Sequence, residues 1–388
     1  MNILYDLIAT QPNEKSKFHG GGEYGKVVFE HLVKHKKNNK IFGLYNKKRY
    51  FDEKIMAVAA ENKINLIHVD SKKDIQKLIT SCKYDKFYSA LPYGYYDLTF
   101  DKTQFIFTIH GLRNIEMPTD RYEKHYNKGI IKRLKFIYKN LLTERYKRIK
   151  REQFEKIINV NASKKIIVPS QHTKYSLLNC FPNLDPNELI VLYSPRKVVE
   201  VSKEVDLEKY GVQKSNYFLL ISGDRWIKNA YRAVKALDNI FTMFSWINQN
   251  VLVLGVKDKR LYLNNISNHE KFNFHGYVEE YELEHLYKNA YCFIYPTLNE
   301  GFGYPPLESM KYGTPVISSA ITSITEICRD GVIYFNPFSV EELQNRILYL
   351  LTDKEAWQRY SERGLQVSRE VSTKQDMMLD ELVKFILS

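Results

Sequence analysis

The chain has 388 residues, which suggests two domains of ordinary size, each able to bury a hydrophobic core. Its 44% hydrophobic and 27% charged residues exclude a disordered or fibrous chain. No apolar run approaches the ~20 residues that span a bilayer. The N-terminal residues lack the basic lead-in of a signal peptide and resemble a first strand, so we expect a cytoplasmic protein.

The four cysteines are scattered along the chain and form no C-x-x-C pair. This spacing argues against a disulfide framework and against a zinc site, and it suits a reducing cytoplasm. The residues are Cys82, Cys180, Cys292 and Cys328.

The positive charge is concentrated in the first half of the chain. Residues 1–195 contain 35 Lys and Arg against 20 Asp and Glu, whereas the whole chain has a net charge of +13. We therefore expect the first half to meet an anionic partner. A nucleic-acid-binding protein is one alternative, prompted by this charge and by 14% aromatic residues. The absence of a nucleic-acid motif and the clustering of charge on one helix argue against it.

Short β-like runs alternate with helical patterns in both halves of the chain. Seven such runs lie between residues 2 and 193, and six lie between residues 217 and 335. This alternation predicts an α/β fold with a parallel, doubly wound sheet in each half. We expect domains at 1–195 and 196–370, with a final helix in 371–388. The charged, aperiodic segment 194–211 is the predicted linker.

A basic helix is predicted in 121–156 of the first half. Residues 121–151 contain twelve Lys and Arg and two acidic residues. Ile130, Leu134, Ile137 and Leu141 follow one another at helical spacing. Such a basic amphipathic helix either lies on an anionic membrane face or docks a lipid-linked phosphate. The alternative is a helix whose apolar stripe packs on its own domain while the basic residues are solvated.

The segment from Tyr291 to Ile327 is the most informative part of the chain. A buried strand ends at Pro296, a Gly-rich turn covers 299–304, and a helix begins near Pro305 and Pro306, where missing N–H groups cost little. A strand, a Gly turn and a helix N-terminus together present free backbone N–H groups to an anionic ligand. The simplest alternative is an ordinary strand–helix junction with solvated glutamates.

The sequence E-G-F-G-x-P-x-x-E at 300–308, followed by Y-G-T-P-V-I at 312–317 and by Glu326, resembles the donor site of retaining glycosyltransferases of family 4. Members of that family use nucleotide-sugars and have the GT-B fold. The resemblance implies two doubly wound Rossmann-like domains that face each other across a central cleft. It also implies that the last helix returns to the first domain.

Glycosyl transfer from a nucleotide-sugar leaves a diphosphate whose charge must be neutralised by a metal ion or by fixed cations. None of the 17 Asp residues forms an Asp-x-Asp motif, so we expect no metal and no cofactor. Arg225 and Lys228 resemble the family's Gly-Arg…Lys-Asn element, which grips the diphosphate. The element is shorter here and Asp224 interrupts it, so Lys228 is the firmer assignment. A solvated basic loop is the alternative.

The resemblance also implies how the rest of the donor is bound. It assigns Glu308 to the ribose hydroxyls. It assigns Glu300, with the neighbouring loop, to the hydroxyls of the transferred sugar. The stretch His275–Val278 resembles the family's base-binding segment, and core packing is a nearly equal alternative for Tyr277 and Leu283. The remaining donor-binding candidates are Tyr277, Val278, Leu283, Thr297, Gly301, Phe302 and Gly303.

The first domain contributes two candidates by the same resemblance. Gly21 and Gly22 precede a helix expected to open at Glu23 and would lie near the donor phosphate, where glycine lets the backbone approach a ligand. His110 ends the predicted strand 104–110 and would lie beside the transferred sugar. The alternatives are a flexible loop and a structural histidine. The candidate catalytic residues are therefore His110, Arg225, Lys228 and Glu300.

The predicted function is retaining, metal-independent hexosyl transfer from a nucleotide diphosphate-sugar to a glycan acceptor. The nucleotide-sugar is a substrate. We expect a role in bacterial surface polysaccharide or glycoconjugate synthesis, with a lipid-linked acceptor at the inner membrane face as one option. The alternatives are a non-catalytic or phosphorylase-like GT-B protein that binds sugar nucleotides, and the nucleic-acid-binding protein considered above.

Overall fold

The computed structural model describes residues 1–12, 20–81, 83–127, 129–197 and 204–388. Within these ranges the chain forms thirteen strands, each within a few residues of a predicted β-like run. They are β1 (Asn2–Asp6), β2 (Lys40–Tyr45), β3 (Asn65–His68), β4 (Lys86–Ser89), β5 (Gln104–Thr108), β6 (Lys164–Val168), β7 (Leu189–Val191), β8 (Tyr217–Leu220), β9 (Asn250–Val253), β10 (Phe272–Phe274), β11 (Cys292–Tyr295), β12 (Val316–Ser319) and β13 (Ile333–Phe335).

Fifteen α-helices are found in the same described ranges, and none of them is long and apolar enough to span a membrane. They are α1 (Gly20–Lys34), α2 (Glu53–Glu61), α3 (Lys72–Thr80), α4 (Arg113–Glu116), α5 (Glu123–Tyr126), α6 (Ile130–Leu141), α7 (Thr143–Ile158), α8 (Gln171–Cys180), α9 (Ala230–Met243), α10 (Arg260–Leu263), α11 (Glu280–Asn289), α12 (Tyr304–Met310), α13 (Thr322–Cys328), α14 (Val340–Thr352) and α15 (Lys354–Leu387).

The chain divides into two compact units. The first unit consists of residues 1–112, 148–197 and 373–388. Its seven strands form one parallel sheet in the order β3-β2-β1-β4-β5-β6-β7. Strands buried on both faces explain the uninterrupted apolar runs in the sequence, since a parallel sheet is covered by helices on each side.

The second unit consists of residues 113–147 and 198–372. Its six strands are parallel and follow the order β10-β9-β8-β11-β12-β13. The strand order reverses between β8 and β11, and in doubly wound sheets ligands bind beyond the carboxyl ends of the strands at such a point. The loops after β8 and β11 are therefore the first place to look for a site.

These units differ from the predicted boundary at residue 195, because residues 113–147 belong to the second unit. Buried polar contacts explain the difference. The Asp120 carboxylate accepts two hydrogen bonds from Arg232 of α9, at 2.7 and 3.1 Å. The His125 ring stacks on the Tyr231 ring at a centroid distance of 4.5 Å. Sequence patterns give no sign of such long-range contacts.

The predicted basic helix is also broken into pieces. Residues 121–156 form α5, α6 and the greater part of α7 instead of one helix. Gly129 separates α5 from α6 with a φ of +90°, a conformation that favours glycine. Leu142 separates α6 from α7 with a non-helical backbone. Lys128 of the same predicted helix lies outside the described residues.

Helix α15 runs without interruption into residues 373–388, which belong to the first unit. Leu382 and Ile386 are fully or almost fully buried in that unit's core. Gln375 donates a 2.6 Å hydrogen bond to the Ser194 carbonyl. The last helix thus contributes core side chains to the first unit, as expected.

Candidate functional site

The loop after β8 places one cation in a buried position. Residues 226–228 form a short 3-10 turn, and Asn229 follows with a φ of +59° before α9 begins. Lys228 is buried, whereas Arg225 at the start of the turn is exposed. The two predicted cations therefore differ: one is enclosed by the protein and the other faces solvent.

The loop after the neighbouring strand β11 supplies the partner of this cation. Lys228 Nζ lies 2.5 Å from Glu300 Oε1 and donates a 2.6 Å hydrogen bond to the Tyr295 hydroxyl. Tyr295 donates to the same Glu300 oxygen at 2.7 Å, and Thr297 Oγ1 donates to it at 2.9 Å. The structure thus brings together Lys228, Thr297 and Glu300, three of the residues that the family resemblance assigns to the donor.

The electrostatics of this cluster are set by burial and pairing. Burial alone would raise the pKa of Glu300, but the Lys228 ammonium and the hydrogen bonds from Tyr295 and Thr297 outweigh it, so the pKa of the carboxyl is lowered. Burial lowers the pKa of Lys228 despite the attraction of Glu300, and Arg225 and Arg113 add repulsion. The carboxylate is therefore ionised at neutral pH, beside a cation that is poorly solvated.

Asn229 fixes the shape of both loops. Its side-chain amide donates to the carbonyls of Pro296 and Pro337, both at 2.9 Å. Its side-chain oxygen accepts a 2.7 Å hydrogen bond from Arg232, which in turn is held by Asp120. Since Asn229 follows Lys228 directly, this network positions the lysine on a rigid backbone.

The Gly-rich turn leads into α12, which begins at Tyr304 with Gly303 as its N-cap. Gly303 has a φ of +113°, and a Cβ there would lie 2.7 Å from Ile324 Cδ1, so both backbone and packing require glycine. Phe302 is buried. Since Pro305 and Pro306 have no N–H, the backbone donors of this turn are those of residues 301–304.

Glu308 lies on α12 and is half-buried. Burial, together with the nearby Glu308 and Glu284 carboxylates, raises the pKa of the Tyr287 hydroxyl. Glu284 is itself engaged by Lys311 Nζ at 2.6 Å. Glu308 and Glu300 thus lie on the two sides of the Gly-rich turn, as the motif predicts.

The predicted base-binding residues lie around the loop between β10 and α11. Tyr277 is 69% exposed, so it is not a core residue. Val278 is half-buried in the same loop, and Leu283 is half-buried on α11. The alternative of simple core packing is therefore wrong for Tyr277.

The first unit holds the other three predicted residues. Gly21 and Gly22 lie in the first turn of α1, which begins at Gly20 and not at Glu23 as predicted. A Cβ on Gly21 would lie 2.6 Å from Leu91 Cδ2, so a larger residue there would require the Leu91 side chain to move. His110 lies two residues beyond the end of β5, and its Nε2 lies 3.0 Å from the Ala90 carbonyl.

Two contacts of the site were not predicted from the sequence. Tyr295 bridges Lys228 and Glu300 through two hydrogen bonds. Its position at the carboxyl end of a central strand is the one feature of the sequence that could have indicated a role in the site. Asn299 donates a 2.6 Å hydrogen bond to Glu116, which comes from the segment 113–147. The two residues are 183 positions apart in the chain, so no local sequence pattern predicts this second contact.

Among the described residues, one group has the spacing of a metal site. It consists of His31, His35 and Asp380 in the first unit, with ligand atoms within 4.8 Å of one another. The loops that carry Lys228 and Glu300 hold no such group within the described part of the chain. The fixed positive charges near these loops include those of Lys228, Arg225 and Arg113.

Comparisons with known proteins find similarity to glycosyltransferases. Residues 202–367 match the family model of glycosyl transferases group 1. The O-antigen chain mannosyltransferase RfbU of Salmonella typhimurium is 30% identical over 202 residues, 49% of this chain and 52% of that protein. The O-antigen chain mannosyltransferase B of Escherichia coli is 38% identical over 98 residues, 25% of this chain and 26% of that protein. The chain thus spans about half or less of the length of these relatives.

The crystal structure of a glycosyltransferase from Rickettsia africae superimposes on the whole chain. Its TM-score is 0.64 at 18% sequence identity, with 100% of this chain and 98% of that chain covered. At this identity the likeness concerns the fold alone. Together with two parallel Rossmann-like sheets of seven and six strands, it shows that the chain has the predicted GT-B fold.

Replacing Lys228 by methionine is expected to leave the Glu300 carboxylate buried and unpaired, and to lower the free energy of unfolding by about 3 kcal/mol. In the double variant Lys228→Met/Glu300→Gln the loss should be smaller, because no charge is stranded. The measurement is urea unfolding followed by tryptophan fluorescence, since Trp226, Trp246 and Trp357 all lie in the second unit.

The pH dependence provides the control. Because the folded pKa of Glu300 is lowered, its stabilising contribution is present above the unfolded glutamate pKa of about 4.3 and is lost as pH falls through the folded pKa. The difference between wild type and Lys228→Met should therefore shrink in acid. Equal stabilities of the two proteins at pH 7 would contradict the ion pair.

Proposed function

We propose that the chain is a retaining, metal-independent glycosyltransferase that moves a hexose from a nucleoside diphosphate-sugar to a glycan acceptor. The observation that carries this proposal is the buried Lys228–Glu300 pair at the carboxyl ends of β8 and β11. A buried cation costs stability, and its presence at the switch point of the sheet suits a site that receives an anionic ligand.

In this mechanism the diphosphate of the donor binds at Lys228 and Arg225. Negative charge grows on the diphosphate as the bond to the sugar breaks, so the cations stabilise the transition state more than the bound donor. A poorly solvated ammonium is most effective in this role, because little water competes with the phosphate oxygens. Tyr295 and Thr297 hold Glu300 in place while Lys228 turns to the ligand.

The remaining contacts fix the two ends of the donor. Glu308 accepts hydrogen bonds from the ribose hydroxyls, which a carboxylate with two oxygens can do in pairs. Glu300 and the N–H groups of residues 301–304 hold the hydroxyls of the sugar. Tyr277 and Val278 are assigned to the nucleotide base. The family resemblance assigns His110, Gly21 and Gly22 to the transferred sugar and the phosphate. We assign no protein nucleophile.

We further propose that the sugar is mannose and that the acceptor is a growing bacterial surface polysaccharide, assembled at the inner membrane face on a lipid carrier. The support is the similarity to two O-antigen chain mannosyltransferases, although each aligns over only part of its length. The buried pair supports diphosphate departure from any such donor. The proposal of mannose therefore rests on the relatives, whereas the proposed chemistry rests on the residues of the site.

The direct test is to incubate the purified protein with nucleoside diphosphate-mannose and a polysaccharide acceptor in EDTA. We expect release of the nucleoside diphosphate that depends on the acceptor, because fixed cations replace a metal. Activity lost in EDTA and restored by Mg²⁺ or Mn²⁺ would contradict the metal-free mechanism. Release of a sugar phosphate instead would indicate a phosphorylase, and binding without any release would indicate a non-catalytic protein.

Glu308→Ala is expected to weaken nucleoside diphosphate binding by about 1.5–3 kcal/mol, the range for a hydrogen bond to a charged group. Isothermal titration calorimetry measures this change. The control is Glu355→Ala, which removes an exposed glutamate of α15 within the same unit and should bind normally. Unchanged affinity in the Glu308 variant would remove this residue from the ribose site.

A further inference from the structure

Helix α6 is attached to the second unit by its polar side. Lys139 donates a 3.1 Å hydrogen bond to the Pro118 carbonyl, forms an ion pair with Glu123, and lies over the Trp226 ring at 5.3 Å. Phe136, three residues before Lys139, is half-buried. With 3.6 residues per turn, positions 136 and 139 share one face of α6, and this face is turned towards the protein.

The opposite face of α6 is apolar and exposed, and none of the twelve residues of the helix is buried. Its large apolar side chains follow one another at spacings of one and three residues, which places them in one continuous stripe. Their exposed fractions range from 37% to 78%, for Ile130, Ile131, Leu134, Ile137, Tyr138 and Leu141. The alternative, in which this stripe packs on its own domain, is therefore wrong for α6.

Exposed basic residues border the stripe. Arg133 and Lys135 lie on its two sides at helical spacing, and Lys132 is also exposed. No acidic residue occurs in α6. A stripe of Ile and Leu bordered on both sides by cations is the arrangement of helices that lie in the interface of a membrane containing anionic lipids.

We propose that α6 is a membrane-docking surface that inserts its apolar stripe among the head groups of an anionic bilayer. Charge complementarity favours this occupant over a second copy of the chain. Two copies that met through the stripe would bring Arg133 and Lys135 of each copy close to the same cations of the other. An anionic lipid surface accepts both features at once, since acyl chains cover the stripe and head groups meet the cations.

The docking surface is distinct from the donor site. Ile130, Leu134 and Leu141 have no role in the chemistry proposed above, so the surface can fail while the donor site functions. An enzyme that adds sugars to a lipid-linked glycan would gain from this placement by remaining close to its acceptor. That advantage rests on the proposed function, whereas the docking itself does not.

The test is co-sedimentation of the full-length protein with vesicles of phosphatidylcholine, with and without phosphatidylglycerol. We expect binding to the anionic vesicles that weakens as salt shortens the Debye length. The variant Lys132→Gln/Arg133→Gln/Lys135→Gln should bind on the order of 100-fold more weakly, at about fivefold per basic residue. Its matched control, Lys259→Gln/Lys288→Gln/Lys354→Gln, removes three exposed cations of the same unit and should bind within about threefold of wild type.

A second variant tests the apolar stripe. Ile130→Ser/Leu134→Ser/Leu141→Ser keeps every charge and is expected to lose binding at high salt as well as at low salt, because acyl-chain contacts are not screened. Nucleoside diphosphate binding should be unchanged in both α6 variants, which separates this proposal from the donor site and verifies folding.

Three results would overturn the proposal. The first is equal binding of the control and the α6 charge variant. The second is binding that requires a polyprenyl phosphate in neutral vesicles and does not respond to phosphatidylglycerol, which would indicate a headgroup site. The third is a wild-type dimer in sedimentation velocity that the serine variant dissolves, which would make the stripe an interface between copies.

Discussion

The buried ion pair between Lys228 and Glu300 is the constraint on which the second unit's site depends. Each charge would be costly alone in this position, so each requires the other and the hydroxyl groups of Tyr295 and Thr297 around them. The pair lies where β8 and β11 are neighbours and the strand order reverses. The order of the strands therefore creates a ligand-binding position between β8 and β11, and the ion pair places charged groups there.

The contacts around the pair depend on particular residues of the surrounding loops. Asn229 holds the carbonyls of Pro296 and Pro337, and Arg232 and Asp120 continue this network into the segment 113–147. Gly303 allows the turn to reach α12 without a clash with Ile324. A ligand that replaced Glu300 as the partner of Lys228 would enter a frame that is already rigid, so little ordering would be needed on binding.

Sequence reasoning predicted the parts of this structure that depend on local patterns. Alternating apolar runs predicted the strands, and the family resemblance assigned Lys228 and Glu300, which are in contact in the structure, to one donor molecule. The features that depend on contacts between residues far apart in the chain could not be predicted in this way. The packing of residues 113–147 in the second unit rests on Asp120 and Arg232, which are 112 positions apart. Periodicity predicted the apolar stripe of α6, but its outward direction is set by Lys139 and its ion pair with Glu123.

A crystal structure of the protein with a nucleoside diphosphate-sugar would test the account most directly. The account predicts that Lys228 Nζ leaves Glu300 for the diphosphate oxygens, that the ribose hydroxyls lie within hydrogen-bond distance of Glu308, and that no metal ion bridges the phosphates. A nucleotide bound elsewhere, with the Lys228–Glu300 pair intact, would contradict it.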